Sequence, residues 1–282
     1  MLWVADAGAT KTDWMGATSS IGLRTEGLNV EVEGWKAARR KLHAAAEYLR
    51  QHDAEVSTLH YYGPALHHEA NRQQIQRLLA EAFQLSPQRV YVYHDLLGAA
   101  RAAWGRQPGI VAILGTGSNC ALWDGESIRQ QAGGHGYLLG DEGSGADLGR
   151  AFLSALLHRE VPSDIEQAFW QKNPYPEASS LLELRRMAYE SPRPSAYLAG
   201  FVPVLSMNKT HPWVAALVRS RFTAFIQRTW ARWHLFYPVR YVGGVAQSFS
   251  EILEELTLAY GGKWGGIVPS VIHALRDYHV QQ

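Results

Sequence analysis

The chain has 282 residues, 46% hydrophobic and 19% charged, with a formal net charge of +1. That length suits two domains of ordinary size with sizeable cores, and the lack of a basic excess argues against a nucleic-acid-binding protein. Cys120 is the only cysteine, which excludes an intrachain disulfide framework or a cysteine-built zinc or iron–sulfur site and makes a reducing cytoplasm the expected location. The opening residues lack the basic and apolar runs of a signal peptide, and no stretch approaches the ~20 apolar residues of a membrane span.

In chain order, Leu2 to Asp6 is a short apolar strand, Ala7 to Thr10 a turn, and Thr12 to Thr18 a returning strand. Ile21 to Gly27 adds a third strand after the Ser19-Ser20 break. Trp35, Ala38, Leu42, Ala45 and Leu49 then recur at helical spacing. Val56 to Tyr62 reads as a strand, Glu69 to Phe83 as a helix, Val90 to His94 as a strand and Leu96 to Trp104 as a helix. Gly109 to Leu114 is a continuous apolar strand of the buried kind. Asn119 to Trp123, the Asp124-Gly125 turn signal and Ser127 to Gln131 form a hairpin. Beyond Gly145 the pattern is mostly helical. Phe222, Phe225, Ile226, Trp230 and Trp233 make a one-sided stripe on a long helix, and a late strand, Val239 to Val242, leads to Gly243-Gly244 and another helix. Pro269 to His279 reads as a last helix opening on a proline. The alternation of strands and helices indicates an α/β fold, with a domain boundary near Leu114–Thr116.

Three glycine motifs and one aspartate carry the chemistry. Asp6-Ala7-Gly8-Ala9-Thr10-Lys11-Thr12-Asp13 is a tight turn after a strand. Successive N–H groups in such a turn form an anion nest, Gly8 admits close approach, Lys11 adds charge, and Asp6 is placed to hold Mg2+ through water. Taken alone, an ordinary hairpin explains it equally well. Leu114-Gly115-Thr116-Gly117-Ser118-Asn119 repeats the arrangement, and it is neither a P-loop nor a dinucleotide fingerprint. Six glycines lie between Gly133 and Gly145, around His135, Asp141 and Glu142. That density marks backbone approached by a ligand, with paired acids able to bond sugar hydroxyls; the plain alternative is a surface loop with a solvated acidic tip. Asp95 sits at a strand end as an expected N-cap for the helix from Leu96, and a carboxylate there can also take the proton of an attacking hydroxyl. The adjacent His67-His68, before Glu69, suggests a metal, but neighbouring residues on a forming helix do not converge as an i, i+4 pair does. Cys120 reads as a small buried residue.

At these residues the sequence resembles a known family. DAGATKTDW and GTGSN resemble the two phosphate motifs of sugar kinases in the actin-like ATPase superfamily, and Tyr241-Val242-Gly243-Gly244-Val245-Ala246 resembles its adenosine motif. ILGTGSNC combined with GYLLGDEGSGADLGR is similar to the N-acetylglucosamine kinase and BadF/BadG-type ATPase group. The resemblance implies two ribonuclease-H-like domains flanking a nucleotide and sugar cleft, over residues 1–114 and 115–268, with a terminal helix, 269–282, returning to the first. It implies an ATP-dependent, Mg2+-requiring kinase phosphorylating N-acetylglucosamine or a related amino sugar at the 6-hydroxyl, with homodimers common. Asp6 would organise hydrated Mg2+. Gly8, Ala9, Thr10, Lys11, Gly115, Thr116 and Gly117 would face the phosphates, and Gly243 and Gly244 would border the adenosine. Asp95 would be the base, and Asn29, Thr116, Asn119, His135 and Asp141 would meet the sugar.

His135 stands where such kinases often carry Trp, and Gly63-Pro64-Ala65 replaces a more glycine-rich turn. His135 suits either a contact to a sugar hydroxyl or acidic substituent or, the reading favoured for a loop histidine, a tie to backbone. Two other readings follow from the same resemblance. A BadF-type activating ATPase needs cysteines for a shared cluster, and one cysteine argues against it. A non-catalytic sugar or nucleotide sensor would be expected to lack Asp95 or Asp6, and both are present.

Overall fold

The computed structural model describes residues 1–18, 22–52, 54–233 and 236–281; Ser19, Ser20 and Ile21, at the expected third-strand break, lie outside them. The elements run β1 Leu2–Ala7, β2 Lys11–Gly16, β3 Gly22–Glu26, α1 Val30–Gln51, β4 Thr58–Gly63, α2 Glu69–Phe83, β5 Val90–His94, α3 Asp95–Trp104, β6 Gly109–Leu114, β7 Ser118–Trp123 and β8 Ile128–Gly133. There follow α4 Gly136–Leu139, α5 Gly145–Leu157, α6 Ser163–Gln171, α7 Leu181–Glu190, α8 Pro194–Ala199, α9 Val202–Met207, α10 Pro212–Arg228, β9 Pro238–Val242, α11 Gly244–Ser248, α12 Ser250–Ala259, β10 Lys263–Val268 and α13 Val271–Val280.

The chain forms two compact units. The first comprises Met1–Gln107, Gly125–Ser127 and Ser270–Gln282, and the second Pro108–Asp124 and Ile128–Pro269. The first sheet has the order β3-β2-β1-β4-β5 and the second β10-β9-β6-β7-β8. The two orders match when β6, β7, β8, β9 and β10 are set against β1, β2, β3, β4 and β5. In each sheet the opening strand is central, antiparallel to the next strand and parallel to a strand reached by a helical crossover. That explains β6, whose unbroken run of Gly109–Leu114 is flanked by β7 and β9. It belongs to the second sheet, so the division falls at Gln107/Pro108 and not after Leu114.

In the first unit β1 alternates. Trp3, Ala5 and Ala7 pack with α1 residues Ala38, Leu42, Ala45 and Leu49 and with α2 residues Ile75, Leu78 and Leu79, whereas Val4 joins Tyr62, Ile272 and Leu275 of α13. Strand period 2 thus distributes alternate side chains between two helical layers. The Tyr62 hydroxyl lies 2.7 Å from His279 Nε2, a buried hydrogen bond that docks α13. In the second unit Gly145 and Gly149, four apart on α5, let α8 come close: a Cβ on Gly149 would fall 1.8 Å from the Leu198 carbonyl oxygen.

Several boundaries differ from the expectations. Helix α1 begins at Val30 behind an Asn29 cap and is interrupted at Gly34 (φ 75°), where the left-handed conformation favours glycine. Helix α10 ends at Arg228, and Trp230–Trp233 form a separate 3₁₀ turn. Pro269 precedes the last helix, whose N-cap is Ser270. Strand β10 was not anticipated, because Gly265, Gly266 and a register shift between Trp264 and Gly266 break its pattern. Among the described residues no helix is long and apolar enough to cross a membrane.

Candidate active site

In the first unit, the β1–β2 hairpin sets Asp6 opposite Asp13 and Ala7 opposite Thr12. Its turn is closed by Gly8 N–H donating to the Lys11 carbonyl at 2.7 Å. Gly27 N–H donates to the Thr10 carbonyl at 2.9 Å, and Leu28 N–H to the Gly8 carbonyl at 3.1 Å. The glycine this packing requires is Gly27, where a Cβ would meet Ala9 C and the Gly8 oxygen at 2.5 Å; at Gly8 its nearest neighbour would be the Lys11 oxygen at an ordinary 3.4 Å. Ala9 and Thr10 form the bend itself. Lys11 Nζ reaches Asp13 Oδ2 at 2.8 Å and Arg24 Nε reaches Asp13 Oδ1 at 2.6 Å, so the Lys11 ammonium is paired within its own hairpin.

Those pairs divide the carboxylates by charge state. Burial acts to raise Asp13, but hydrogen bonds from Arg24 and Lys11 hold it below its ordinary range. Asp6 lacks such partners. Burial first, then the charges of Asp13 and Asp95, push it up to about 7, against the opposing pull of Lys11. Asp95 is also raised by burial, opposed by His94, by the Leu96 N–H and by His67. Three carboxylates therefore influence one another at the strand ends, and a divalent cation fits such a donor set because its charge relieves their repulsion.

Asp95 is the first residue of α3 and not its cap. The cap is His94, whose Nδ1 accepts from Leu96 N–H at 3.3 Å. Asp95 Oδ1 lies 3.1 Å from that same nitrogen, an ion pair when His94 is protonated; with Nδ1 accepting from Leu96, Oδ1 is buried without a hydrogen-bond donor. A buried acceptor without a donor calls for an explanation, and a ligand hydroxyl is one. Asn29 also lies in this unit, where its side-chain oxygen accepts from Glu31 N–H at 3.0 Å as the cap of α1.

In the second unit, Gly115 N–H donates to the Gly117 carbonyl at 3.0 Å. The first turn of α5 holds the same bend: Gly145 N–H donates to the Gly115 oxygen at 2.7 Å and Ala146 N–H to the Thr116 oxygen at 3.1 Å. Asp141 lies against it, with Oδ1 accepting from Ser118 N–H at 3.3 Å. A Cβ on Gly117 would meet Asp141 Oδ2 at 2.9 Å. Asp141 has φ 57° and Asp141 and Glu142 are each 8% exposed, so the acidic pair is not a solvated tip. Burial raises Asp141, while Glu142 pairs with Arg228. The Asn119 oxygen accepts from Cys120 N–H at 2.9 Å, and its amide packs under Gly134, where a Cβ would meet Nδ2 at 2.8 Å. Gly243 (φ 113°) crosses the start of the bend, 2.4 Å from the Leu114 oxygen if it carried a Cβ, whereas Gly115 and Gly244 face open space. His135 is exposed, and its ring makes no hydrogen bond among the described residues, contrary to the backbone-tied expectation. Cys120 is fully buried, which pushes its thiol up.

Two features escaped the sequence reading. Ser118 Oγ is buried without a hydrogen-bond partner beside Asp141. Asp147 is the second: its Oδ2 accepts from Gly143 N–H at 3.0 Å and Arg221 Nε at 2.8 Å, and its Oδ1 from Arg150 at 2.8 Å and Arg221 Nη2 at 3.0 Å. The spacing of Ser144 and Asp147 approximates a capping box, a legible signal; the Arg221 partnership, 74 residues distant, has none.

Two sheets of equivalent strand order, each opening on a hairpin, match the actin-like fold of sugar kinases. The chain is 32% identical to a provisionally named N-acetylglucosamine kinase from Porphyromonas gingivalis, with a TM-score of 0.92 over 100% of this chain and 99% of that one. The chain belongs to this N-acetylglucosamine kinase-like family. A second such protein, from Chromobacterium violaceum, shares the fold at 23% identity and a TM-score of 0.68 over 98% of each chain. So does a ROK family glucokinase from Streptomyces griseus, solved with glucose and AMPPNP, at 13% identity and a TM-score of 0.54 over 100% of this chain and 99% of that one. A stretch of 69 residues is 36% identical to an N-acetylmuramic acid/N-acetylglucosamine kinase from Clostridium acetobutylicum, and covers 24% of this chain and only 22% of that relative's length. No family model matches the chain.

Proposed function

We propose that the protein transfers the γ-phosphoryl group of ATP to the 6-hydroxyl of N-acetylglucosamine or a related amino sugar. Family membership at 32% identity over the full chain supports the class. The observation that carries the chemistry is the carboxylate group of the first unit, in which burial, then Asp13 and Asp95, raise Asp6 while Asp95 Oδ1 is buried without a hydrogen-bond donor. In this reading Asp6 would hold Mg2+, and the ion would supply charge neutralisation for the triphosphate. Asp95 accepts the hydrogen bond of the sugar hydroxyl through Oδ1 and takes its proton as the phosphoryl group transfers. The bends Gly8, Ala9, Thr10 and Gly115, Thr116, Gly117 face the phosphates, with the Gly8 and Gly115 N–H groups closing the turns themselves, joined by Lys11 once nucleotide draws it from Asp13. Gly243 and Gly244 border the adenosine. Asn29, Thr116, Asn119, His135 and Asp141 meet the sugar, Asp141 from a bend that Asp147 stabilises. Catalysis then comes mainly from positioning and electrostatics.

A homodimer in the cytoplasm completes the proposal. The single, fully buried Cys120 disfavours a cluster-bridging activating ATPase. ADP release from Mg-ATP, measured against a panel of hexoses, tests the reading. Release should depend on an amino sugar and fall about 10²- to 10⁴-fold in Asp95→Asn; release indifferent to every sugar would refute it.

A further inference from the structure

Between β4 and α2 the chain passes through His67 and His68 before entering the helix at Glu69. On a helix these neighbours would point about 100° apart. They are not on one: His68 is the N-cap, extended at φ −83° and ψ 133°, and its side chain makes no capping bond. The two rings approach to 3.9 Å between centroids. The acid that joins them is Glu31, from the first turn of α1, and not the neighbouring Glu69. One carboxylate oxygen of Glu31 and one ring nitrogen from each histidine all lie within 4.8 Å of one another.

The scaffold beneath these donors is fixed. Arg72 Nη1 donates to the Leu66 carbonyl at 2.8 Å and the His67 carbonyl at 2.9 Å, and Asn71 to the Ala65 carbonyl at 2.8 Å. Glu31 is held through its N–H by the Asn29 cap. Arg72 spends its charge on Glu69. All three donor residues are exposed, so an ion can reach them directly and rotamer adjustment costs little packing.

We propose that Glu31, His67 and His68 form a binding site for a borderline transition-metal ion of the Zn2+ class. Two imidazole nitrogens and one carboxylate are a three-ligand zinc set that leaves a coordination position for water or an oxygen donor. Mg2+, which prefers oxygen ligands, is the wrong ion for two imidazoles. The site would clip the first turn of α1, ahead of the Gly34 break, to the β4–α2 loop. It goes beyond the kinase reading and does not depend on it.

The test is titration of the full-length protein with Co2+ in a large excess of Mg2+, read by the visible absorption of the cobalt. Wild type should develop the intense bands of four- or five-coordinate Co2+. His67→Gln and His68→Gln should each weaken binding about tenfold or more, and Glu31→Gln less. Zn2+ at hundredfold saturation should raise the melting temperature by about 5 °C, a shift lost in the double histidine variant. Circular dichroism confirms that the variants fold. No absorption in wild type, or bands that persist in the double variant, would overturn the site. So would weak octahedral bands indifferent to the histidines, which would place the ion on carboxylates instead.

Discussion

The two hairpins sit at equivalent places in equivalent sheets, and both are closed by backbone bonds and a closely packed glycine, Gly27 or Gly243, yet their side-chain supports differ. The first adds exposed charge: Lys11 and Arg24, both largely exposed, converge on Asp13. The second is held by close packing and buried backbone bonds. Gly243 and Asp141 press on the bend and α5 donates two N–H groups to it, while Asp147 secures the adjoining loop through Gly143 and two arginines. One backbone solution is thus compatible with a loosely screened support and with a rigid one. The raised acids Asp6 and Asp95 belong to the unit of the first hairpin, and the raised acid Asp141 lies against the second.

Substitutions separate these supports, and local hydrogen exchange can read each unit by itself. The largest effect is expected at Gly243→Ala. The added Cβ meets Leu114 O at 2.4 Å in a backbone with φ 113°, which should destabilise the second unit by about 3 kcal/mol. Unchanged protection there would break the comparison. Asp147→Asn should cost the same unit about 2 kcal/mol, since a carboxylate 2% exposed loses two guanidinium partners, with little response to salt. Next comes pH. Asp6 is raised in the folded state, so the first unit binds its proton more tightly than the unfolded chain does between the ordinary aspartate range and about pH 7. Its contribution to stability therefore falls as pH rises through that window. Asp6→Asn should flatten this slope in urea titrations run at a series of pH values. The smallest effect is expected at Arg24→Ala. With the arginine side chain 67% exposed, solvent screening limits the loss to about 0.5 kcal/mol, and 1 M salt should erase it.

How much of this was legible follows from the range of the interactions. The glycine motifs, the strand ends bearing Asp6 and Asp95, and the stripe on α1 are local patterns, and they emerge where the residues place them. Gly27 closes the first hairpin from just beyond β3, and Asp147 finds Arg221 from another helix. No spacing encodes either contact. His94 displaced Asp95 as the cap because the ring nitrogen of the preceding residue reached Leu96 N–H, a choice that propensity alone would not make. His67 and His68 converge because the helix starts at Glu69, two residues later than the pair requires to diverge. Strand β10 is set by its parallel partner β9 and not by its own glycine-rich sequence.

The central claim is that Asp95 is the proton acceptor and Asp141 a shaped contact for the sugar. Steady-state kinetics of Asp95→Asn and Asp141→Asn, measured together with saturating Mg-ATP and varied amino sugar, tests it most directly. The account predicts that Asp95→Asn loses kcat by about 10²-fold or more with KM nearly unchanged, and that Asp141→Asn chiefly raises KM for the sugar. The reverse pattern, or two variants that lose kcat and KM alike, would contradict it.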